Sequence, residues 1–328
     1  MIVVTGGAGF IGSNLVAALE ERGETDIVVC DRFGTGEKWR NLAKRELRAL
    51  VPPEHLFDFL NAHATEIDTV FHLGAISATT ERDVDLIIAN NFALSVELWH
   101  WCVRSYTRFI YASSAATYGD GALGFDDDGG VEALARLRPL NPYGWSKHLF
   151  DRFVARAVRG RSRTPPQWAG LKFFNVYGPN EYHKGEQASV VSKLYPRIVS
   201  GEPARLFRSH RPDYEDGGQL RDFIWVGDCA EVMLWLRDNA QVHGLYNVGT
   251  GQARSFLALA RATFAAAGLA SQVDYIDMPE DIRDRYQYFT QAETGRLRAA
   301  GYSLPFTTLE DGVHRYVRQH LATTDPYL

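Results

Sequence analysis

The sequence predicts an α/β fold, a doubly wound parallel sheet with a smaller mixed C-terminal lobe, and three observations carry that expectation. Short β-branched runs alternate with helical stretches through the first half, the pattern of parallel strands joined by crossover helices. The glycine-rich turn Thr5-Gly6-Gly7-Ala8-Gly9-Phe10-Ile11-Gly12 stands between the first run, Met1 to Val4, and the first helical stretch. The strand-like run Leu171 to Tyr177 is broken by Gly178-Pro179, beyond which the chain should leave the sheet. Residues 1–178 are therefore expected to form one unit, with segments at about 220–250 returning to it, and residues 179–328 mainly the smaller lobe.

Composition narrows the class. With 328 residues, 45% hydrophobic and 23% charged, the chain has the length for a large core in one domain or two coupled lobes. A net charge of -5 provides no basic field for nucleic acid. Cys30, Cys102 and Cys229 each sit in an apolar run without pairing or metal-type spacing, so they read as reduced core residues of a cytosolic protein. No apolar stretch approaches the roughly 20 residues of a membrane span, and Met1 runs straight into a strand without room for a signal peptide; a cytoplasmic location is expected. There is no internal repeat and no low-complexity tract.

In the first unit, glycines at 6, 9 and 12 permit a tight turn, let the backbone approach a pyrophosphate and let the helix Ser13 to Leu19 pack closely on the strand. The phosphates would sit on that helix N-terminus. The next strand, Asp26 to Cys30, ends in Asp31, the spacing at which a carboxylate meets the adenosine ribose in a Rossmann-like dinucleotide site. Asp31 suits NAD, whereas Arg32 and Lys38 can hold a 2′-phosphate, so NADP is expected with NAD as the alternative.

The strand Asp68 to Leu73 delivers Gly74-Ala75-Ile76-Ser77 to its carboxyl end, where open α/β sheets place ligands. His72, inside that apolar strand, reads as a hydrogen-bonded core histidine. The helical stretch Asp85 to Trp101 should pack Leu86, Ile87, Val96, Leu98 and Trp101 on the sheet. Asn90 and Asn91 interrupt its apolar face and need partners, either a loop carbonyl or a cofactor edge. The strand Arg108 to Ser114 brings a serine hydroxyl to the same sheet edge, where Ser114 can hydrogen-bond a substrate oxygen as charge develops on it.

Within Asn141-Pro142-Tyr143-Gly144-Trp145-Ser146-Lys147, Tyr143 and Lys147 stand one helical turn apart on one face. An ammonium beside the phenol, with an oxidised nicotinamide close by, favours phenolate and moves the tyrosine pKa down from about 10. Such a pair is a proton shuttle for alcohol–carbonyl interconversion. Asp126-Asp127-Asp128 reads as a solvated acidic turn, with no metal site expected, and Arg159 to Pro166 as a surface loop.

With the glycine turn, Ser114 and Tyr143-x-x-x-Lys147 in this order, the chain resembles the extended short-chain dehydrogenase/reductases that act on nucleotide sugars. Four further segments are similar to the ADP-L-glycero-D-manno-heptose 6-epimerases among them: Tyr111 to Gly119, Phe174-Asn175-Val176-Tyr177-Gly178-Pro179, His183-Lys184-Gly185, and Arg285-Tyr286-Gln287 with Phe289-Thr290-Gln291-Ala292. The resemblance implies a redox-neutral enzyme of lipopolysaccharide core biosynthesis that inverts C6 of ADP-glycero-manno-heptose. The route would be a transient 6-keto sugar, re-reduced on its opposite face with a tightly bound NADP.

The same resemblance implies Ser114, Tyr143 and Lys147 as the catalytic set, with Lys184 as a second acid/base on the opposite side of the sugar. It implies that Gly6, Gly9, Phe10, Ile11, Gly12, Asp31, Arg32, Lys38, Leu73, Gly74, Ala75, Ile76, Ser77, Asn90, Tyr143, Lys147 and Val176 line the cofactor. Ser114, Asn175, Arg221 and Tyr286 would hold the sugar nucleotide. Phe207 would join them, together with Glu186, Lys193, Arg208, Ser209 and His210, whose residue types depart from the family pattern. Residues 211–219 look like additional loop. By itself Lys184 is a loop lysine open to solvent, and Arg221 either pairs locally with Asp222 or grips a diphosphate. Two rival activities stay open: a 4-epimerase or reductase of another nucleotide sugar, and a non-catalytic NADP-binding sensor. A dehydratase is disfavoured because Ala115 and Ala116, not an acid and a base, follow Ser114. The implied partners are the nucleotide sugar and further copies of the chain, a homo-oligomer such as a pentamer, with neither nucleic acid nor membrane.

Overall fold

The alternating runs pair as parallel strands in the computed structural model, which describes residues 1–283 and 286–328. In chain order the strands are β1 (Ile2–Thr5), β2 (Ile27–Cys30), β3 (Ala49–Val51), β4 (Thr69–His72), β5 (Arg108–Ser114), β6 (Trp168–Phe173), β7 (Asn175–Tyr177), β8 (Ala204–Phe207), β9 (Leu220–Trp225), β10 (Gly244–Val248), β11 (Ala253–Ser255) and β12 (Val273–Ile276). Seven of them form one sheet in the order β10-β6-β5-β4-β1-β2-β3, every pair parallel. The chain winds outward from β1 in both directions, so the β1–β4 boundary is the switch point of a Rossmann-like sheet.

Both faces of this sheet are covered, which is why its strands read as continuous apolar runs. Val3, Val28, Val70 and Phe109 pack toward Leu98, Trp99, Phe150 and Val154 of the helices Leu94–Ser105 and Pro142–Arg159. Val4, Val29, Phe71 and Ile110 point the other way, toward Leu15, Val16, Val232 and Met233 of the helices Phe10–Glu21 and Val226–Asp238. His72 is a core residue, hydrogen-bonded to the Thr5 hydroxyl at 2.7 Å and the Ser95 hydroxyl at 2.9 Å.

The two returning segments behave differently. Gly244–Val248 joins the parallel sheet beside β6, whereas Leu220–Trp225 pairs with β7 and β11 in a separate three-stranded sheet. With the two-stranded β12-β8 sheet it frames the smaller lobe, whose core includes Tyr177, Leu194, Ile198, Phe223, Phe264, Val313 and Tyr316.

Two expectations need correction. The stretch after Val84 is not one regular helix: a π-helical segment, Ile88–Ala93, separates Val84–Ile87 from Leu94–Ser105. The wider turn rotates the face that follows relative to the face before it, so Leu98 and Trp101 are buried while Leu86 faces solvent. In the acidic turn, Asp126 and Asp128 are exposed but Asp127 is buried. Its carboxylate accepts the Asn247 amide at 2.7 Å and lies 3.5 Å from Arg296, because the turn folds back onto β10. Cys30, Cys102 and Cys229 are buried and unpaired. Among the described residues no helix is long and apolar enough to cross a membrane.

Candidate active site

The glycine turn is built from near-contact distances. Gly6 has a positive φ of 69°, and a Cβ there would lie 2.5 Å from the Gly74 amide nitrogen; a Cβ on Gly12 would lie 2.2 Å from the Gly6 carbonyl oxygen. The loops after β1 and β4 and the helix Phe10–Glu21 can therefore meet only as backbone. Gly9 caps that helix without any side-chain acceptor, which leaves its first N–H groups available to an anion. At the end of β2, Asp31 accepts the Ala8 amide at 2.9 Å, the Arg32 amide at 2.7 Å and the Lys38 ammonium at 2.6 Å. The side chain of Arg32 points to solvent, 3.6 Å from Glu54.

Along the carboxyl edge, Asn91 holds the β4 loop: its carbonyl accepts the Ile76 amide at 2.8 Å, and its amide donates to the Ile76 carbonyl at 2.9 Å and to the Ser146 hydroxyl at 3.0 Å. The loop carbonyl was one of its two expected partners. Asn90 instead donates to the Leu86 carbonyl within its own helical segment. The helix Pro142–Arg159 starts at an Asn141 side chain that accepts the Gly144 amide at 2.8 Å, with Pro142 preset for its first turn. A Cβ on Gly144 would stand 2.7 Å from the Ala116 carbonyl oxygen. The first turn of this helix is thus pressed onto the residues that follow Ser114, and Ser114 and Tyr143 line the same cleft.

Burial dominates the electrostatics here. It pushes the Tyr143 phenol up, with the Ser114 hydroxyl opposing, and pulls the Lys147 ammonium down to about 8, with Asp151 opposing. The expected lowering of Tyr143 is therefore not a property of the protein alone, because the desolvation of a buried phenolate outweighs what the side chains supply. Lys184 stands on the turn Tyr182–Gln187, its ammonium 5.3 Å from the centre of the Phe10 ring. Burial pulls it down, and the neighbouring Glu181 carboxylate pulls it back up.

One cleft of about 560 Å³ collects these groups. It is lined by Gly6, Gly9, Phe10, Ile11, Gly12, Asp31, Lys38, Leu73 to Ser77, Ser114, Tyr143, Lys147, Val176 and Lys184. Arg32 and Asn90 lie outside the lining. Among residues for which no role was expected, Phe174, His183 and Gln187 line it too.

A second cavity of about 720 Å³ opens on the other side of the Tyr182–Gln187 turn, lined by Glu186, Lys193, Phe207 and Tyr286 together with Arg197, Arg205, Gln219 and Phe256. Arg197 and Arg205 were missed, though each had a signal: Arg197 is one helical turn after Lys193, and Arg205 is two residues before Phe207 on one strand face. Arg208 points instead toward Asp277, at 3.4 Å, and Asp216, at 3.9 Å. The Ser209 amide donates to Asp216, and the His210 amide to the Tyr288 hydroxyl. Asn175 lines neither cavity and accepts the Thr290 hydroxyl at 3.4 Å.

Arg221 does not pair with Asp222, whose carboxylate is taken by the Thr250 hydroxyl and by the amides of Thr250, Gly251 and Ala292. Its guanidinium is buried against the Tyr286 ring at 5.3 Å and the Phe256 ring at 5.6 Å, donating to the Leu220 carbonyl. Arg285, part of one segment of the resemblance, lies outside the described residues.

The model of the NAD dependent epimerase/dehydratase family matches residues 2–249. The chain belongs to this family. Among curated members, it is 52% identical over 331 residues to the ADP-L-glycero-D-manno-heptose-6-epimerase of Nitratidesulfovibrio vulgaris strain Hildenborough, covering 100% of both chains. It is 45% identical over 336 residues to the enzyme of that name from Fusobacterium nucleatum, again over 100% of both. The crystal structure of Helicobacter pylori ADP-L-glycero-D-manno-heptose-6-epimerase superposes with a TM-score of 0.79 at 29% identity, covering 97% of this chain and 95% of that one. Family membership and the Rossmann-like sheet account together for a nucleotide cleft at the β1–β4 switch point.

Proposed function

We propose that the protein is an epimerase that inverts C6 of ADP-glycero-manno-heptose, working with a resident NADP. One observation carries the proposal: a phenol–ammonium pair and a second, separately held ammonium line the same cleft. The residues fit the cofactor. The uncapped helix start at Gly9 suits its phosphates, and the backbone-only packing at Gly6 and Gly12 leaves a cradle that side chains would fill. Gly6, Gly9, Phe10, Ile11, Gly12, Lys38, Leu73 to Ser77 and Val176 would hold it. NADP is favoured over NAD because Lys38 already neutralises Asp31, while the Arg32 guanidinium is turned to solvent beside the same position. When bound, the cofactor accepts a hydride from the sugar and later returns it.

The side chains move the protons. Tyr143 takes the C6 hydroxyl proton as the carbinol becomes a ketone, with Ser114 donating to the same oxygen and Lys147 stabilising the phenolate. For inversion the ketone must present its other face, most simply by rotation about C5–C6, which carries the oxygen away from Tyr143. Lys184 is then the proton donor on the second side. Which of the two serves first depends on the epimer bound. The neighbouring cavity, with Lys193, Arg197, Arg205 and the aromatic rings of Phe207, Phe256 and Tyr286, supports binding of the nucleotide portion; Arg221 stands outside its lining, behind Phe256 and Tyr286, and would reach a diphosphate only past those rings.

The test is direct. The purified protein, incubated with ADP-D-glycero-D-manno-heptose and followed by NMR, should form the C6 epimer without net reduction of cofactor. Epimerisation of UDP-galactose but not of the ADP-heptose would move the protein to the rival 4-epimerases, and turnover that survives Tyr143→Phe would remove the phenol from the mechanism.

A further inference from the structure

The helix Pro142–Arg159 carries Tyr143, Lys147 and Asp151 at successive turns of one face. Asp151 is completely buried and accepts three hydrogen bonds: from the Tyr111 hydroxyl at 3.1 Å, the Ser113 hydroxyl at 2.8 Å and the Lys172 ammonium at 2.7 Å. Lys172, on β6, is completely buried as well. It donates to the Thr117 hydroxyl at 2.7 Å and lies 4.9 Å from the centre of the Tyr118 ring. Thr117 in turn donates to the Ser114 carbonyl at 2.8 Å. This cluster stands directly behind the cleft, yet neither Asp151 nor Lys172 lines it.

We propose that Lys172 promotes the reaction from behind the cleft, by engaging Asp151 so that this carboxylate does not cancel the Lys147 charge that stabilises the Tyr143 phenolate. The proposal rests on the reading of Tyr143 as the base. Lys172 is on this account a positioning residue, acting through Asp151 and Lys147.

The charge balance is closed by the surroundings. Around Lys147 and Asp151, the ionisable neighbours are His72 from β4, Tyr111 from β5, Tyr118 from the turn after it, and His148 and Tyr143 from the helix itself. Burial keeps His72 neutral, pulled down to about 3, and His148 neutral, pulled down to about 4. It pushes the Tyr111 and Tyr118 phenols well up, with Asp151 adding to both. Arg138 and Arg152 act on His148, and Asp126 and Asp127 on Tyr118. The interior charges between Tyr143 and β6 are thus two ammoniums and one carboxylate, a net of one positive charge that the phenolate would neutralise. Without Lys172, the charges of Lys147 and Asp151 would already cancel and a phenolate would be an uncompensated buried anion.

The experiment is a pH series of epimerisation on the full-length protein with NADP bound, in Lys172→Met, Asp151→Asn and the double variant, each checked for fold by circular dichroism. Lys172→Met should shift the limb that reports phenol ionisation to higher pH and lose about tenfold in kcat at pH 7 with KM little changed, the loss shrinking as pH rises. Asp151→Asn should shift the same limb to lower pH. The double variant should return toward the parent. Opposed shifts that cancel are not produced by loosened packing, which would lower activity in all three variants without moving the limb. Shifts in the same direction, or none, overturn the proposal. If a single variant fails to fold, the folded double variant and an ultraviolet titration of the Tyr143 phenolate against Tyr143→Phe read the same charge balance, and a double variant displaced from the parent in that titration also overturns it. Full activity of Tyr143→Phe would instead sink the underlying reading of the base.

Discussion

Lys184 and Asp127 show how far a single side chain departs from what its local sequence suggests. A lysine between histidine and glycine in a loop is ordinarily solvated, but here the side chain is half-buried beside Phe10 and faces the cleft. Lys184→Ala should reduce epimerisation by about 10²–10⁴, the range for a positioned acid or base, while NADP remains bound on gel filtration. A loss smaller than about tenfold, roughly 1.4 kcal/mol, would remove Lys184 from the mechanism. Asp127 has its carboxyl pushed up to about 6 from 3.8 by burial, against the Asn247 amide and Arg296, which pull it down. A folded-state value above the unfolded one means that the native chain holds the proton more tightly. Its contribution to stability is therefore present below pH 3.8 and is lost as pH rises through about 6. Asp127→Asn, which keeps an acceptor for Asn247, should flatten that decline in urea midpoints measured at pH 4, 5 and 6; an unchanged slope would show that Asp127 does not titrate in this range.

At the scale of the element, the helix Pro142–Arg159, which carries Tyr143 and Lys147, is positioned by what it lacks. With no Cβ at Gly144, its first turn lies against the Ala116 carbonyl. Gly144→Ala puts a carbon 2.7 Å from that oxygen, so the helix must move away from Ser114 or the turn must give. We expect destabilisation of about 1–3 kcal/mol and a larger proportional loss in kcat than in cofactor affinity, measured by thermal unfolding and steady-state kinetics. A variant with parental kcat would show that the contact is not what sets the Ser114–Tyr143 geometry. The turn Tyr182–Gln187 is held in a comparable way by buried amides. Asn14 donates to the Pro179 carbonyl, Asn41 to the carbonyls of Ala8 and Asn180, and Asn180 to the Ser13 hydroxyl. These bonds tie the segment that carries Lys184 to the glycine turn, so the two move as one.

Across the whole molecule, the Tyr182–Gln187 turn is a shared wall: Lys184 and Gln187 line the cofactor cleft and Glu186 the adjoining cavity. Ligands in the two spaces should therefore be coupled, and coupling between binding sites is reciprocal. We expect ADP to bind more tightly when the protein is saturated with NADP, and NADP to gain by the same factor, both read by titration calorimetry. Equal ADP affinity with and without NADP would mean that the wall is rigid and the sites independent. NADP at about one hundred times its Kd should also add about 2.7 kcal/mol to the folded state, visible as a rise in Tm.

The parallel sheet, its switch point and the glycine turn at the cleft were legible in the residues themselves. Strand hydrophobicity, glycine spacing and the Tyr143–Lys147 interval are local patterns, and local patterns follow from chain geometry. Resemblance alone pointed to Lys184, which lines the cleft, since nothing in its sequence neighbours distinguishes it from a solvated lysine. Tertiary structure decided the rest: that Leu86 turns outward ahead of a π-helical segment, that Asp127 is buried, that Arg221 leaves Asp222 for two aromatic rings, and that Arg208 to His210 are held by Asp216, Asp277 and Tyr288. It also decided that Asp151 and Lys172, 21 residues apart, meet behind the cleft that Tyr143 and Lys147 line. The division has one physical reason. Periodicity records which face of an element is apolar, whereas the charge, burial and pairing of a polar side chain depend on which distant segment packs against it.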